Sequence, residues 1–154
     1  MLLLWLVVVC IFRFSRRVKI LKGVTELGTN VFWWSLALKG ITIPNVTSYG
    51  QNTFFSCPDL ANVYWGESTP ATLSGFMFLS CSSLVSITIP ETVTNLGMEL
   101  FGDCSNLTSI TITCDRKAIS AGASQTGIIG NNPNTTNVDL KLHPSFKDDV
   151  TFNE

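Results

Sequence analysis

The chain has 154 residues, a net charge of −1 and only 14% charged side chains, against roughly 25% in an average soluble domain. Thr (17), Ser (15) and Asn (11) take the place of the missing charge, while 45% of the residues are hydrophobic. This balance excludes a disordered chain, which would be less apolar and more charged, and a strongly basic nucleic-acid binder; the length suits a single domain.

The first 17 residues read as a segment of their own. Leu2–Phe12 is an unbroken run of eleven apolar residues. It has the length of a signal-peptide core and is too short for a membrane span, which needs about 17 residues or more. No positive charge precedes the run, and no small-x-small cleavage site succeeds it. Two readings stay open: an export signal or anchor that ties residues 1–17 to a membrane, and a degenerate first coil that caps the repeats behind it. Arg13, Arg16, Arg17, Lys19 and Lys22 come just after the run and make up half of all Lys and Arg. Taken alone, such a stretch is a solvated flank. From Gly40 to Cys114 there is no Lys or Arg, whereas Asp59, Glu67, Glu91, Glu99 and Asp103 are present. That surface would repel phosphate, so nucleic acid is not an expected partner.

Residues 18–113 repeat. The unit is V-T-x-L-G-x-x-x-F-x-x-C-x-x-L-x-x-I-x-I-P. Its phenylalanine recurs at Phe32, Phe54, Phe78 and Phe101, with spacings of 22, 24 and 23 residues. Its cysteine recurs at Cys57, Cys81 and Cys104, with Ser35 in the earliest copy, and its leucine at Leu38, Leu60, Leu84 and Leu107. The strand pairs are Ile41/Ile43, Val63/Trp65, Ile87/Ile89 and Ile110/Ile112, and Val18/Ile20 fit the same positions one copy earlier. A copy of about 23 residues cannot bury its own apolar face, but stacked copies share one continuous core. The I-x-I alternation has period two, so both isoleucines point inward and the residue between them points outward. Register stacking would give one parallel sheet with an outward row of hydroxyls. The F-x-x-C-x-x-L spacing suits a short helical or 3-10 turn that packs Phe, Cys and Leu inward. The expected fold is a β-rich leucine-rich-repeat solenoid: a parallel sheet of stacked coils joined by such turns.

At these residues the unit resembles the BspA-type leucine-rich repeat of bacterial and protist surface proteins. The resemblance covers about Val18 to Thr113. It departs from the commoner leucine-rich repeat, because the Cys precedes the strand and V-T-x-L-G replaces the convex helix. It implies a surface-exposed or secreted binding module, often linked to adhesion, without catalysis.

Residues 114–154 lose the period. Ala121–Asn137 is rich in Gly, Asn, Ser and Thr and reads as an irregular loop. Val138–Leu142 restores the alternation and is expected to close the array as a final strand.

The chemistry-bearing residues point to structure. Cys57, Cys81 and Cys104 fall at one buried position per coil, where a free Cys acts as a small hydrophobe. No C-x₂-C pair offers a zinc site. His143 is the only histidine and no nucleophile motif accompanies it. No phosphate-binding glycine loop occurs. No cofactor, metal or catalytic residue is therefore expected. The remaining candidates lie on the outward strand face: Asn62, Tyr64, Ser86, Thr88, Ser109 and Thr111. Tyr64 is the one aromatic in that set, and Tyr and Asn are adaptable contact residues. The expected partner is a protein or a glycan; the rival reading is a set of spare coils from a longer array with no ligand of its own.

Overall fold

The computed structural model describes residues 14–114 and, as backbone only, the strand 139–142. Residues 1–13 of the N-terminal segment, the expected loop Ala121–Asn137 and His143 lie outside the described residues. The strands on the repeat's I-x-I positions are β1 (Arg17–Lys19), β3 (Gly40–Thr42), β5 (Asn62–Tyr64), β7 (Ser86–Ile89) and β9 (Ser109–Ile112), closed by β10 (Asp139–Leu142). Two-residue strands lie on the V-T-x-L-G segments: β2 (Glu26–Leu27), β4 (Ser48–Tyr49), β6 (Thr72–Leu73) and β8 (Asn95–Leu96). Every described pairing is parallel, as it must be when each coil adds one strand in the same direction. The alternation works as expected. β7 reads exposed, buried, exposed, buried, with Ile87 and Ile89 inside. Val18 aligns with Ile41, which aligns with Val63, so residues 17–19 form a first coil edge.

The phenylalanines form the spine of the core. Phe32, Phe54, Phe78 and Phe101 stack one per coil, with ring centroids 5.2, 5.4 and 5.6 Å apart and interplanar angles of 10° or less. Centroid distances this long between parallel rings mean offset stacking, the favourable arrangement for aromatic quadrupoles. Leu38, Leu60, Leu84 and Leu107 are fully buried beside them.

The turns differ from the helical or 3-10 turns expected. Among the described residues there is no helix of either kind. The reason lies in the backbone. In each coil the residue two before the Phe and the residue two after it have positive φ: Asn30 and Trp34, Asn52 and Ser56, Phe76 and Ser80, Glu99 and Asp103. A left-handed residue ends a right-handed helix, so two per turn leave no room for one. Positive φ in non-glycine residues such as Trp34 and Phe76 costs conformational energy. The gain is hydrogen bonding between coils. The amides of Asn30, Phe32 and Trp34 all point to the next coil and donate to the carbonyls of Gln51, Thr53 and Phe55; Asn52, Phe54 and Ser56 likewise donate to Gly75, Met77 and Leu79, and Phe76, Phe78 and Ser80 to Met98, Leu100 and Gly102. The turn side is thus a second ladder, with N–H groups on one edge and C=O groups on the other.

The single sheet expected from the repeat is divided. β1, β3 and β5 form one three-stranded sheet and β7, β9 and β10 another, with no ladder between β5 and β7. The short strands divide at the same place, since β2 pairs with β4 and β6 with β8, while β4 and β6 do not pair. Two residues account for this. In the intact ladder Ile43 N donates to Tyr64 O at 2.8 Å. The equivalent acceptor one coil on is Thr88 O, and it is taken instead by the indole Nε1 of Trp65 at 2.7 Å. On the short-strand side Gly50 N donates to Leu27 O and Gly97 N to Leu73 O. The equivalent acceptor, Tyr49 O, is taken by the side chain of Ser74 at 2.6 Å. Gly50 and Gly97 lie so close to the preceding coil that a Cβ there would overlap its backbone. Ser74 occupies the same repeat position with a Cβ, so its coil cannot approach as closely. The second and third coils are therefore joined by the turn ladder, the Phe54–Phe78 stack and the bond from Ser83 N to Pro58 O, while at the two strand positions side chains stand in for backbone donors.

Next to this junction Tyr49 has a buried hydroxyl with no hydrogen-bond partner among the described residues. Ser68, which neighbours it, already donates to Ile43 O at 2.6 Å and accepts from Val46 N at 3.0 Å. Burial pushes the Tyr49 phenol well up from its ordinary value. A buried unsatisfied hydroxyl carries a desolvation cost of about 1–3 kcal/mol. Tyr49→Phe should leave the chain as stable or make it more stable, read as an unchanged or higher urea midpoint; a loss of more than about 1 kcal/mol would show that the hydroxyl is bonded.

Candidate functional site

The outward residues of the strands form aligned rows. Arg17, Gly40 and Asn62 make one row and Lys19, Thr42 and Tyr64 the next. On the second sheet Ser86 aligns with Ser109 and Thr88 with Thr111. Asn62, Tyr64, Ser86 and Thr88 are exposed, and Ser109 and Thr111 are half-buried beside β10. The six candidates therefore share the outward side of the strands, but on two sheets. Asn62 and Tyr64 belong to the first sheet, and the four hydroxyls to the second. Tyr64 is 60% exposed, at a position where the neighbouring coils carry Thr42 and Thr88.

The structure adds residues that the sequence pattern did not single out. A shallow groove of about 340 Å³ runs over the first sheet, lined by Arg16, Arg17, Lys39, Gly40, Asn62 and Tyr64, among others. Gly40 forms its floor, because it supplies no side chain between Arg17 and Asn62. Lys39 N donates to Arg16 O at 3.3 Å, which stacks those two cationic residues one coil apart. The basic stretch, read from sequence as a solvated flank, thus contributes to the strand face. The only signal for this was the register that sets Val18 on Ile41.

The ladder residues are structural. Phe54, Phe78, Phe101, Cys57, Cys81 and Cys104 have no exposed surface, and Phe32 is 2% exposed. None of the four described cysteines is in a disulfide. Their burial was expected, but their bonding was not. Cys57 Sγ donates to Phe32 O at 3.0 Å, Cys81 Sγ to Phe54 O at 3.2 Å and Cys104 Sγ to Phe78 O at 3.1 Å. Each thiol thus reaches back to the Phe of the previous coil, which explains the F-x-x-C spacing better than packing alone. Burial pushes the Cys81 thiol well up and the Cys104 thiol up to about 12.

The buried thiols should be inert, and Cys81 and Cys104 should link stability to pH. A thiol whose folded pKa is raised keeps its proton when the unfolded chain loses one. Its stabilisation is full below the ordinary thiol value near 8.5 and is lost as pH rises from there toward the folded value, at about 1.4 kcal/mol per pH unit per thiol. In the Cys10→Ser chain, Ellman's reagent should not react before unfolding, and the urea midpoint should fall between about pH 8.5 and 10. Native-state labelling, or a midpoint that rises over that range, would contradict the buried ladder.

Among the described residues no group of His, Cys, Asp or Glu could hold a metal ion, and no helix is long and apolar enough to cross a membrane. The division of labour is clear at the level of each coil: Phe, Cys and Leu inside, turn amides between coils, and polar side chains outside. A family model for the BspA-type leucine-rich repeat region matches residues 14–126 as six copies.

The chain belongs to the BspA-type leucine-rich-repeat family.

Solved structures agree with this assignment at the level of the fold. The BspA-type chain is similar to a leucine-rich cell surface protein from Faecalibacterium prausnitzii, with TM-score 0.67 and 22% identity over 91% of this chain and 36% of that one. It is also similar to a leucine-rich-repeat protein from Bacteroides ovatus, with TM-score 0.50 and 23% identity over 82% of this chain and 42% of that one. The chain spans less than half of either protein. No curated protein matches it.

Proposed function

We propose that this BspA-type chain is a non-enzymatic binding module that engages a protein or glycan through its strand face, in an adhesin-like role at a cell surface. The observation that carries the reading is Tyr64, a 60% exposed aromatic on the outward strand face, in the row of Lys19 and Thr42 and beside the row of Arg17, Gly40 and Asn62. Large aromatic residues are left in water at some cost, and they dominate contact energies when a partner covers them. Repeat proteins commonly bind partners on such an extended face. The surface location rests on the family and on the cell-surface neighbour from Faecalibacterium prausnitzii. The test is a glycan array and a panel of purified extracellular-matrix proteins, probed with the native chain and with Tyr64→Ala and Thr88→Arg. A ligand bound by the native chain should be bound at least about tenfold more weakly by one or both variants. Undiminished binding by both would place the contact elsewhere.

A second reading is favoured by one observation. The chain covers only 36% and 42% of the similar structures, as coils drawn from a longer surface array would. In that reading the module spaces or extends the array and has no ligand of its own. The native chain would then bind nothing on either panel.

A further inference from the structure

The first-sheet groove gathers three cationic residues, Arg16, Arg17 and Lys39, and no described carboxylate lines it. Like charges on neighbouring strands repel one another. Lys39 follows Arg16 one coil on, joined to it through the backbone, and Arg17 lies beside Gly40, so three positive charges share the groove with no carboxylate among its described lining residues. Between Gly40 and Cys114 there is no Lys or Arg, so within residues 14–114 the positive charge is confined to this end. An anion in the groove would convert the repulsion into attraction and would form charge-assisted hydrogen bonds to the guanidinium groups. The remaining lining fits a sugar. The exposed Tyr64 ring offers a flat face for the C–H side of a pyranose, while the Asn62 amide and Thr42 hydroxyl can donate to and accept from ring hydroxyls. The floor at Gly40 gives the ring room to lie down.

We infer that this groove is a subsite for an acidic glycan, a chain of uronic-acid sugars whose carboxylates face Arg16, Arg17 and Lys39 and whose rings stack on Tyr64. The inference deepens the strand-face reading and rests on it. Cations steer and orient the chain, and Tyr64 supplies the contact that separates a sugar from a simple polyanion. Binding is expected to weaken as salt rises from about 0.05 to 0.5 M, since exposed charges are then screened.

The test is calorimetric titration of the full chain with galacturonate oligosaccharides, with neutral galactose oligosaccharides of the same length, and with polyglutamate. The galacturonate should bind, and the neutral sugar should bind at least about tenfold more weakly. Arg17→Glu and Lys39→Glu lie on the exposed rim, and their folding is checked by melting. Each should weaken galacturonate binding at least about tenfold, and Tyr64→Ala should weaken it further than it weakens polyglutamate. Absence of galacturonate binding, equal binding of the neutral sugar, or full binding by both charge variants would overturn the inference. Equal binding of polyglutamate, with Tyr64→Ala without effect, would also overturn it, in favour of an acidic peptide. Thr88→Arg, on the other sheet, separates this failure from that of the broader reading: loss of an array ligand in Thr88→Arg without any galacturonate binding removes the subsite and keeps the strand face.

Discussion

Replacing Gly97 by Ala should cost the chain about 3 kcal/mol or more, well above an ordinary surface substitution. A Cβ at this position would overlap the backbone of Ser74 and Gly75 in the preceding coil. Backbone cannot rotate aside as a side chain can, so either the coils separate or the chain bends. Separation would break the Gly97 N to Leu73 O bond of 2.8 Å and strain the Phe78–Phe101 stack. The conformation at Gly97 itself is accessible to other residues, so the penalty is one of space. Gly23→Ala is the matched control, since nothing lies within 4 Å of its added Cβ, and it should change stability by less than about 0.5 kcal/mol. Denaturant midpoints of the two variants measure the difference. Equal midpoints would mean that the coils are not packed as closely as the Gly97 contacts require.

Phe78→Ala should cost about 3–5 kcal/mol, the range for removing a buried aromatic and leaving a cavity. Phe78 is fully buried and stacks on Phe54 at 5.4 Å and Phe101 at 5.6 Å. The edge of Trp65 also packs on it, 6.3 Å between centroids. It bridges the junction where both strand ladders are interrupted, so its loss falls where the backbone offers least support. Against the 5–15 kcal/mol that stabilises an ordinary domain, this is enough to unfold a marginal chain at physiological temperature. Chemical denaturation followed by far-ultraviolet circular dichroism would show it, and a loss below about 1 kcal/mol would mean that the ladder is not the spine of the core.

These two residues also show what could be read from sequence. The Phe, Cys and Leu ladders were legible because each coil must bury the same side chains, so selection for packing writes a period into the chain. The positive-φ turns were not legible. They are carried by Trp34, Ser56, Phe76, Ser80 and Glu99 as well as by Asn30, Asn52 and Asp103. Only the Asn and Asp types favour left-handed backbone, so no single residue type marks these positions in every coil, and the turns arise because the N–H groups must all point to the next coil. The divided sheet left a trace that is clear only with the structure in hand: the 24-residue spacing from Phe54 to Phe78, Trp65 in an isoleucine position and Ser74 in a glycine position. The strand-face residues Asn62, Tyr64, Ser86 and Thr88 were readable from alternation alone. The cationic groove was not, because Arg16, Arg17 and Lys39 come together only through the pairing of β1 with β3.

The proposed binding through the strand face can be tested at single-residue resolution by amide chemical shifts during titration of the full chain with galacturonate oligosaccharides. Shifts should concentrate at Arg16–Lys19, Lys39–Thr42 and Asn62–Tyr64, and the ladder amides of Phe54 and Phe78 should stay still. Saturable shifts centred instead on the exposed turn residues Trp33, Trp34 and Leu36 would put the binding surface on the turns and contradict the strand-face reading.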